Sequence, residues 1–246
     1  MKQRRRPGGI GGLGYYTSYD NLKTNGCIYC GKPATTREHV PSKAFLLKPF
    51  PENLPVIPAC FECNNNFSED ENYVSCFLDI LKKNIYSDNS RQNQTQCRLE
   101  ADEKLLNILE KQVRVENGKV YYQLDEQKIF RILLKLARGH AGFEVDYVSF
   151  DNSEVMVYYD FIFNMSNDVI EDFESIMLSD IASEIGTRSM TILQNVDTGD
   201  ATACSCWNYV QDNQYRYQVF QNELGVVTVI LIIFEFLYCK IVFPSV

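Results

Sequence analysis

The sequence predicts an α+β fold on three observations. Residues 27–66 are turn-rich and bracketed by cysteines, the middle of the chain holds segments of helical apolar spacing, and strand-like segments dominate after Gly142. The 246 residues are 45% hydrophobic and include 15 Phe and 15 Tyr, enough to bury a substantial core in one or two domains. The expected organisation is an arm over 1–20, a metal-stapled module over 21–86, a helical middle over 97–141 and an antiparallel β-rich C-terminal domain over 142–246.

Each element has a local reason. Arg4, Arg5 and Arg6 followed by Pro7, Gly8 and Gly9 resist regular structure, so 1–20 reads as a flexible basic arm, placed along phosphates or left as a solvated tail. Ser68 and Glu71 have capping-box spacing, and Tyr73, Cys76, Phe77, Ile80 and Leu81 follow at helical intervals. A helix is therefore expected over 68–83, with Asp70 and Glu71 serving its cap or, as the alternative, reaching a metal, and polar residues 87–96 form an exposed loop. A second helix covers 102–113, and Asn117-Gly118 marks a hairpin turn. A third helix, 126–138, carries Ile129, Leu133 and Leu136 on one side and ends at Gly139, which leaves His140 to satisfy terminal carbonyls.

Strands are expected over 145–150, 155–163, 189–193, 215–220 and from 226 onward, with one helix over 169–185. The apolar run 226–243 is interrupted by Glu235 and Lys240 and reads as buried strands, not a membrane segment. Cys204 and Cys206 read as strand residues, Cys76 and Cys239 as core, and Cys97 has no evident role. Trp207, Tyr209, Tyr215, Tyr217 and Phe220 alternate in part, as base-stacking, core or protein-interface residues would.

Charge is distributed unevenly. The net charge is -8, yet residues 1–50 hold nine Lys or Arg against Asp20 and Glu38, a net of +7 that leaves -15 on the other 196 residues. Such a chain does not coat an anionic polymer; it attracts one at its N-terminal part only. Nine cysteines, and a charged start running into glycines instead of an apolar signal core, point to a reducing cytoplasm. There, paired Cys-x-x-Cys units are metal ligands more often than disulfides.

Two such pairs occur, Cys27/Cys30 and Cys60/Cys63. Each pair lets two thiolates converge on one tetrahedral ion, so together they close a four-sulfur structural zinc site. A closed site has no position for substrate or an activated water, so this zinc staples and does not catalyse.

The residues inside the staple carry a resemblance. Glu38-His39-Val40-Pro41-Ser42 follows the first pair, Asn53-Leu54 precedes the second, and Asn64 comes directly after Cys63. This pattern resembles the HNH, or ββα-metal, endonuclease motif in its zinc-containing form, over residues 27 to about 71. The resemblance implies two strands and a helix around one catalytic cation, with His39 as general base, Asn53 orienting its ring, and Glu38 and Asn64 holding Mg2+ or Mn2+. Asn65 and Asn66 stay open as alternatives to Asn64. Imidazole suits the base because its ordinary pKa leaves it largely neutral at cytoplasmic pH, and Pro41 is consistent with a strand ending just after His39. Arg37 and Lys43 flank the motif and are candidate phosphate contacts.

The implied function is hydrolysis of phosphodiester bonds in DNA, with RNA also open as substrate, in phage biology or antiviral defence. The C-terminal domain would recognise a second copy of the chain or another protein, and no membrane partner is expected. The alternative is a non-catalytic zinc-bound module that binds nucleic acid or protein.

Overall fold

The computed structural model of the chain describes residues 26–86, 102–117, 119–175, 190–194, 198 and 201–245. The 1–20 arm, the 87–96 loop and Cys97 lie outside them.

The fold is mixed α+β. Strands β1 (Thr36–His39) and β2 (Val56–Ala59) form an antiparallel pair, joined by a loop that contains a short 3-10 turn, Lys43–Phe45. Helix α1 (Phe61–Tyr86) follows β2 almost without a break. It starts seven residues before Ser68 because its first-turn donors are satisfied earlier. Phe61 N–H donates to Thr35 Oγ1 at 3.0 Å, and Cys63 N–H points at Cys60 Sγ at 3.4 Å. Ser68, Asp70 and Glu71 are thus interior residues of α1 and cap nothing, which corrects the capping-box expectation.

Helix α2 (Glu103–Gln112) is capped by Asp102, whose carboxylate accepts from Leu105 N–H at 3.0 Å. The expected hairpin follows as β3 (Val113–Glu116) and β4 (Lys119–Tyr122), with Asn117 at φ 51° in the turn. Helix α3 (Glu126–Glu144) is capped by Asp125 through Lys128 N–H.

Gly139 does not end α3; the helix runs five residues further. Its role is close approach. A Cβ at Gly139 would stand 3.3 Å from Val40 Cγ2, just past β1, and one at Gly142 would stand 2.0 Å from Ile28 Cδ1 in the first cysteine turn, so both glycines let α3 press against the N-terminal module. His140 accordingly lies inside the helix, fully buried, and not at a helix end.

Residues 146–150 form no strand: Asp146 takes φ 57° and Tyr147 N–H turns back to Ala141 O. Strand β5 (Met156–Phe161) precedes helix α4 (Asn167–Glu174); of the helix expected over 169–185, residues 176–185 lie outside the described ones. Strands β6 (Met190–Gln194) and β7 (Ala201–Ser205) pair with each other, so Cys204 is a strand residue, while Cys206 falls just beyond β7.

The C-terminal sheet has five antiparallel strands in the order β5-β11-β10-β9-β8, where β8 is Asn208–Gln211, β9 Tyr215–Gln221, β10 Val227–Ile233 and β11 Leu237–Phe243. Its central strand β10 is covered on both sides. Val229, Leu231 and Ile233 join the main core, whereas Ile230 and Ile232 meet Phe173 of α4. That double burial explains why the sequence here is continuously apolar without alternation. Among the described residues, no helix is long and apolar enough to cross a membrane.

The main core joins the β1–β2 loop, the helices α1 to α3 and the C-terminal sheet. Phe45 and Leu54 from the β1–β2 loop, Phe77 and Leu81 of α1, Leu133 and Leu136 of α3, and Tyr217, Leu231 and Ile241 of the sheet belong to one cluster.

Candidate metal centre and active site

The four-cysteine centre grows from two turns. After Cys27, the chain folds back so that Gly31 N–H donates to Cys27 O at 2.8 Å and Cys27 N–H to Lys32 O at 2.7 Å. Gly31 adopts φ 73°, a conformation side-chain-bearing residues seldom take, and the Phe150 ring packs 3.0 Å from where its Cβ would be. The second turn is the β2–α1 junction, where Cys60 and Cys63 lie one helical turn apart.

The two turns meet. The sulfurs of Cys27, Cys30, Cys60 and Cys63 all lie within 4.8 Å of one another, with Cys30 Sγ to Cys60 Sγ at 3.7 Å. A tetrahedral ion about 2.3 Å from each sulfur requires sulfurs roughly 3.8 Å apart, so the donor set fits a metal ion. Burial pushes the Cys27 and Cys63 thiols up, while the Cys63 N–H and neighbouring thiols draw Cys60 down to about 7. Metal binding there requires the release of protons.

A second cluster lies beside the first. Glu38, on β1, is 8% exposed, and its carboxylate meets Lys135 of α3, with Nζ to Oε1 at 3.2 Å. The same ammonium donates to Glu71 of α1 and lies 5.2 Å from the centre of the Phe67 ring. Burial raises the Glu38 carboxyl above the ordinary range; Lys135 opposes that shift and Glu71 adds to it. Tyr29, between Cys27 and Cys30, stands edge-on to Phe67 with ring centres 5.1 Å apart. Its hydroxyl is pushed well up by burial and then by the Glu38 and Glu71 charges. Tyr29 and Phe67 therefore form a shared wall between the thiol cluster and the ion triad.

His39 is the last residue of β1, half-buried, in register with Val56. Asn64 sits in the first turn of α1, where its amide Nδ2 donates to Thr36 Oγ1 at 3.2 Å. Asn53 is exposed just before β2, and Asn65 and Asn66 are exposed on α1. Arg37 is exposed on β1, and Lys43 is half-buried with its Nζ 5.2 Å from the Phe50 ring centre. The structure thus pins Asn64 to β1 through Thr36, and brings Glu38 together with Glu71 and Lys135.

Lys135 and Tyr29 are site residues that the sequence reading does not reach, and Glu71 is reached only as the alternative to a helix cap. Lys135 carried a readable signal: it is the one charged residue between Ile132 and Ala137, in an otherwise apolar helical segment. Glu71 was masked by its capping-box spacing to Ser68.

His140 belongs to a separate buried network. Its Nε2 lies 2.9 Å from Tyr215 Oη, and its ring stacks on Tyr217 at 3.8 Å. Tyr217 donates to the buried Glu144. Tyr215 and Tyr217 are therefore core residues, while Tyr209 is 63% exposed. Comparison with family models, curated proteins and solved structures finds no match for this chain.

Proposed function

We propose that the chain is a metal-dependent endonuclease of the HNH type that hydrolyses phosphodiester bonds, in DNA first and RNA second. The observation that carries this reading is the consecutive β1-β2-α1 unit closed by four cysteines, with Glu38 and His39 ending β1 and Asn64 in the first turn of α1. Zinc is the ion proposed for the thiol cluster, since four converging thiolates suit a soft, tetrahedral, structural site.

The catalytic cation is Mg2+ or Mn2+, held by oxygen donors of Glu38 and Asn64. Their chemistry fits a hard ion, and with Asn64 Nδ2 donating to Thr36, the amide oxygen is the donor left for it. When bound, the cation supplies charge stabilisation at the phosphate and leaving oxygen. His39 takes the proton of the attacking water, and Asn53 orients its ring. Arg37 and Lys43 contact phosphates along the strand.

One observation favours a second reading, a non-catalytic module that binds nucleic acid or protein. The Glu38 carboxylate is already buried against Lys135. Supercoiled plasmid and structured RNA incubated with the full chain and Mg2+ or Mn2+ separate the two. Nicking that His39→Ala abolishes while the thiol-bound metal is retained supports the nuclease; retention of nucleic acid without cutting under either cation supports the module.

A further inference from the structure

The ammonium at Lys135 is expensive to bury and is not needed to dock α3. On the same stripe of α3, Lys128 and Arg131 already tie that helix to α1 through Asp70, at 3.6 Å and 2.8 Å. Those two are partly exposed, whereas the Lys135 side chain is 2% exposed. An apolar side chain of the same length would pack on Phe67 without losing hydration, so helix packing alone does not call for a charge here. What calls for it is the meeting of two carboxylates from different elements, Glu38 of β1 and Glu71 of α1.

We propose that Lys135 is a positioning residue of the nuclease site, fixing the Glu38 carboxylate against Glu71 from a helix outside the ββα unit. This inference rests on the nuclease reading above. Glu38 has a longer, freer side chain than an aspartate would have, and its carboxylate must be aimed before a cation or phosphate arrives. Lys135 aims it: one ammonium spans both acids, and the Phe67 ring holds that ammonium from a third side. Phe67 is itself braced by Tyr29 from the thiol cluster, so the staple supports the same geometry. The helical middle of the chain is then part of the site.

The test compares wild type, Lys135→Met and Lys135→Arg in plasmid cleavage with Mn2+, reading kcat and KM separately, together with melting temperature and bound metal per chain. The expected result is a kcat about 100-fold lower in Lys135→Met, the scale of an ångström-level misplacement. KM and metal content stay close to wild type, melting falls because two carboxylates lose their buried counter-ion, and Lys135→Arg recovers much of both rate and melting. Should Lys135→Met not fold, Lys135→Gln gives the same readout. A Met or Gln variant that cuts at the wild-type rate overturns the inference and leaves the nuclease reading intact. So does a rate loss no larger than the fraction of unfolded chain at the assay temperature accounts for. A wild-type chain that cuts nothing overturns the nuclease reading, and this inference with it.

Discussion

The side chain of Gln211 closes both backbone groups of Leu47: Leu47 N–H donates to Oε1 at 2.7 Å, and Nε2 donates to Leu47 O at 3.0 Å. Gln211 ends β8, an edge strand of the C-terminal sheet, and Leu47 lies in the loop between His39 and Asn53. The amide acts as one more rung of sheet, carrying the position of the C-terminal strands into the loop that frames the candidate base. Removing it leaves two partly buried backbone groups unmatched. Gln211→Ala is expected to cost about 1–3 kcal/mol in denaturant unfolding, and amide exchange at Leu47 should accelerate. An unchanged exchange rate would show that the loop is held by its apolar residues alone.

The thiol centre should govern the stability of the N-terminal strands. Cys60→Ser removes a ligand and the sulfur that receives the Cys63 N–H at the start of α1. Metal per chain, measured by mass spectrometry of the native protein, is expected to fall from one toward none, with a clear drop in melting temperature. Chelator treatment of the wild type should reproduce both. Equal metal content in the variant would remove the four-cysteine assignment.

Two glycines of α3 make a paired test of close approach. Alanine in a helix interior is favoured over glycine by roughly 0.5–1 kcal/mol, so the sign depends on space. Gly139→Ala meets Val40 Cγ2 at 3.3 Å and should be near neutral, whereas Gly142→Ala meets Ile28 Cδ1 at 2.0 Å and must displace it. Overpacking of that kind costs about 1–3 kcal/mol, so Gly142→Ala is expected to be the less stable variant in thermal melts. The opposite order would contradict the α3 contact.

His140 predicts a pH slope. Burial lowers its pKa from 6.5 to about 3, so between those values the unfolded chain binds a proton that the folded chain refuses. Stability should therefore fall as pH drops from 6.5 toward 3, by an amount on the order of a few kcal/mol at the acid end. His140→Gln cannot take up that proton and should flatten this part of the profile while lowering stability at pH 7, because its amide replaces a ring stacked on Tyr217. A profile of unchanged slope in the variant would assign the acid sensitivity to other groups.

The elements that could be read from sequence are those set by local rules. Asn117 marks its hairpin, Asp102 caps α2, and the apolar run through Val229 and Leu231 becomes buried strands. The misread positions are those where a distant element decides. Gly139 looks like a helix stop until Val40 packs against it, and Ser68 and Glu71 look like a cap until Thr35 and Cys60 supply the donors' partners seven residues earlier. The same holds for the site. The four cysteines announce themselves by spacing, because each pair is a local turn. Lys135 lies 97 residues after Glu38 along the chain, and only the packing of α3 against β1 and α1 brings the two together.

Whether His39 directs water at a phosphodiester bond is read by cutting plasmid in 18O-enriched water with Mn2+ and weighing the new ends. Wild type is expected to place one 18O atom in the terminal phosphate for each cut, and His39→Ala to make no cuts with its metal content unchanged. Unlabelled phosphate ends, or cutting by His39→Ala at the wild-type rate, would contradict it.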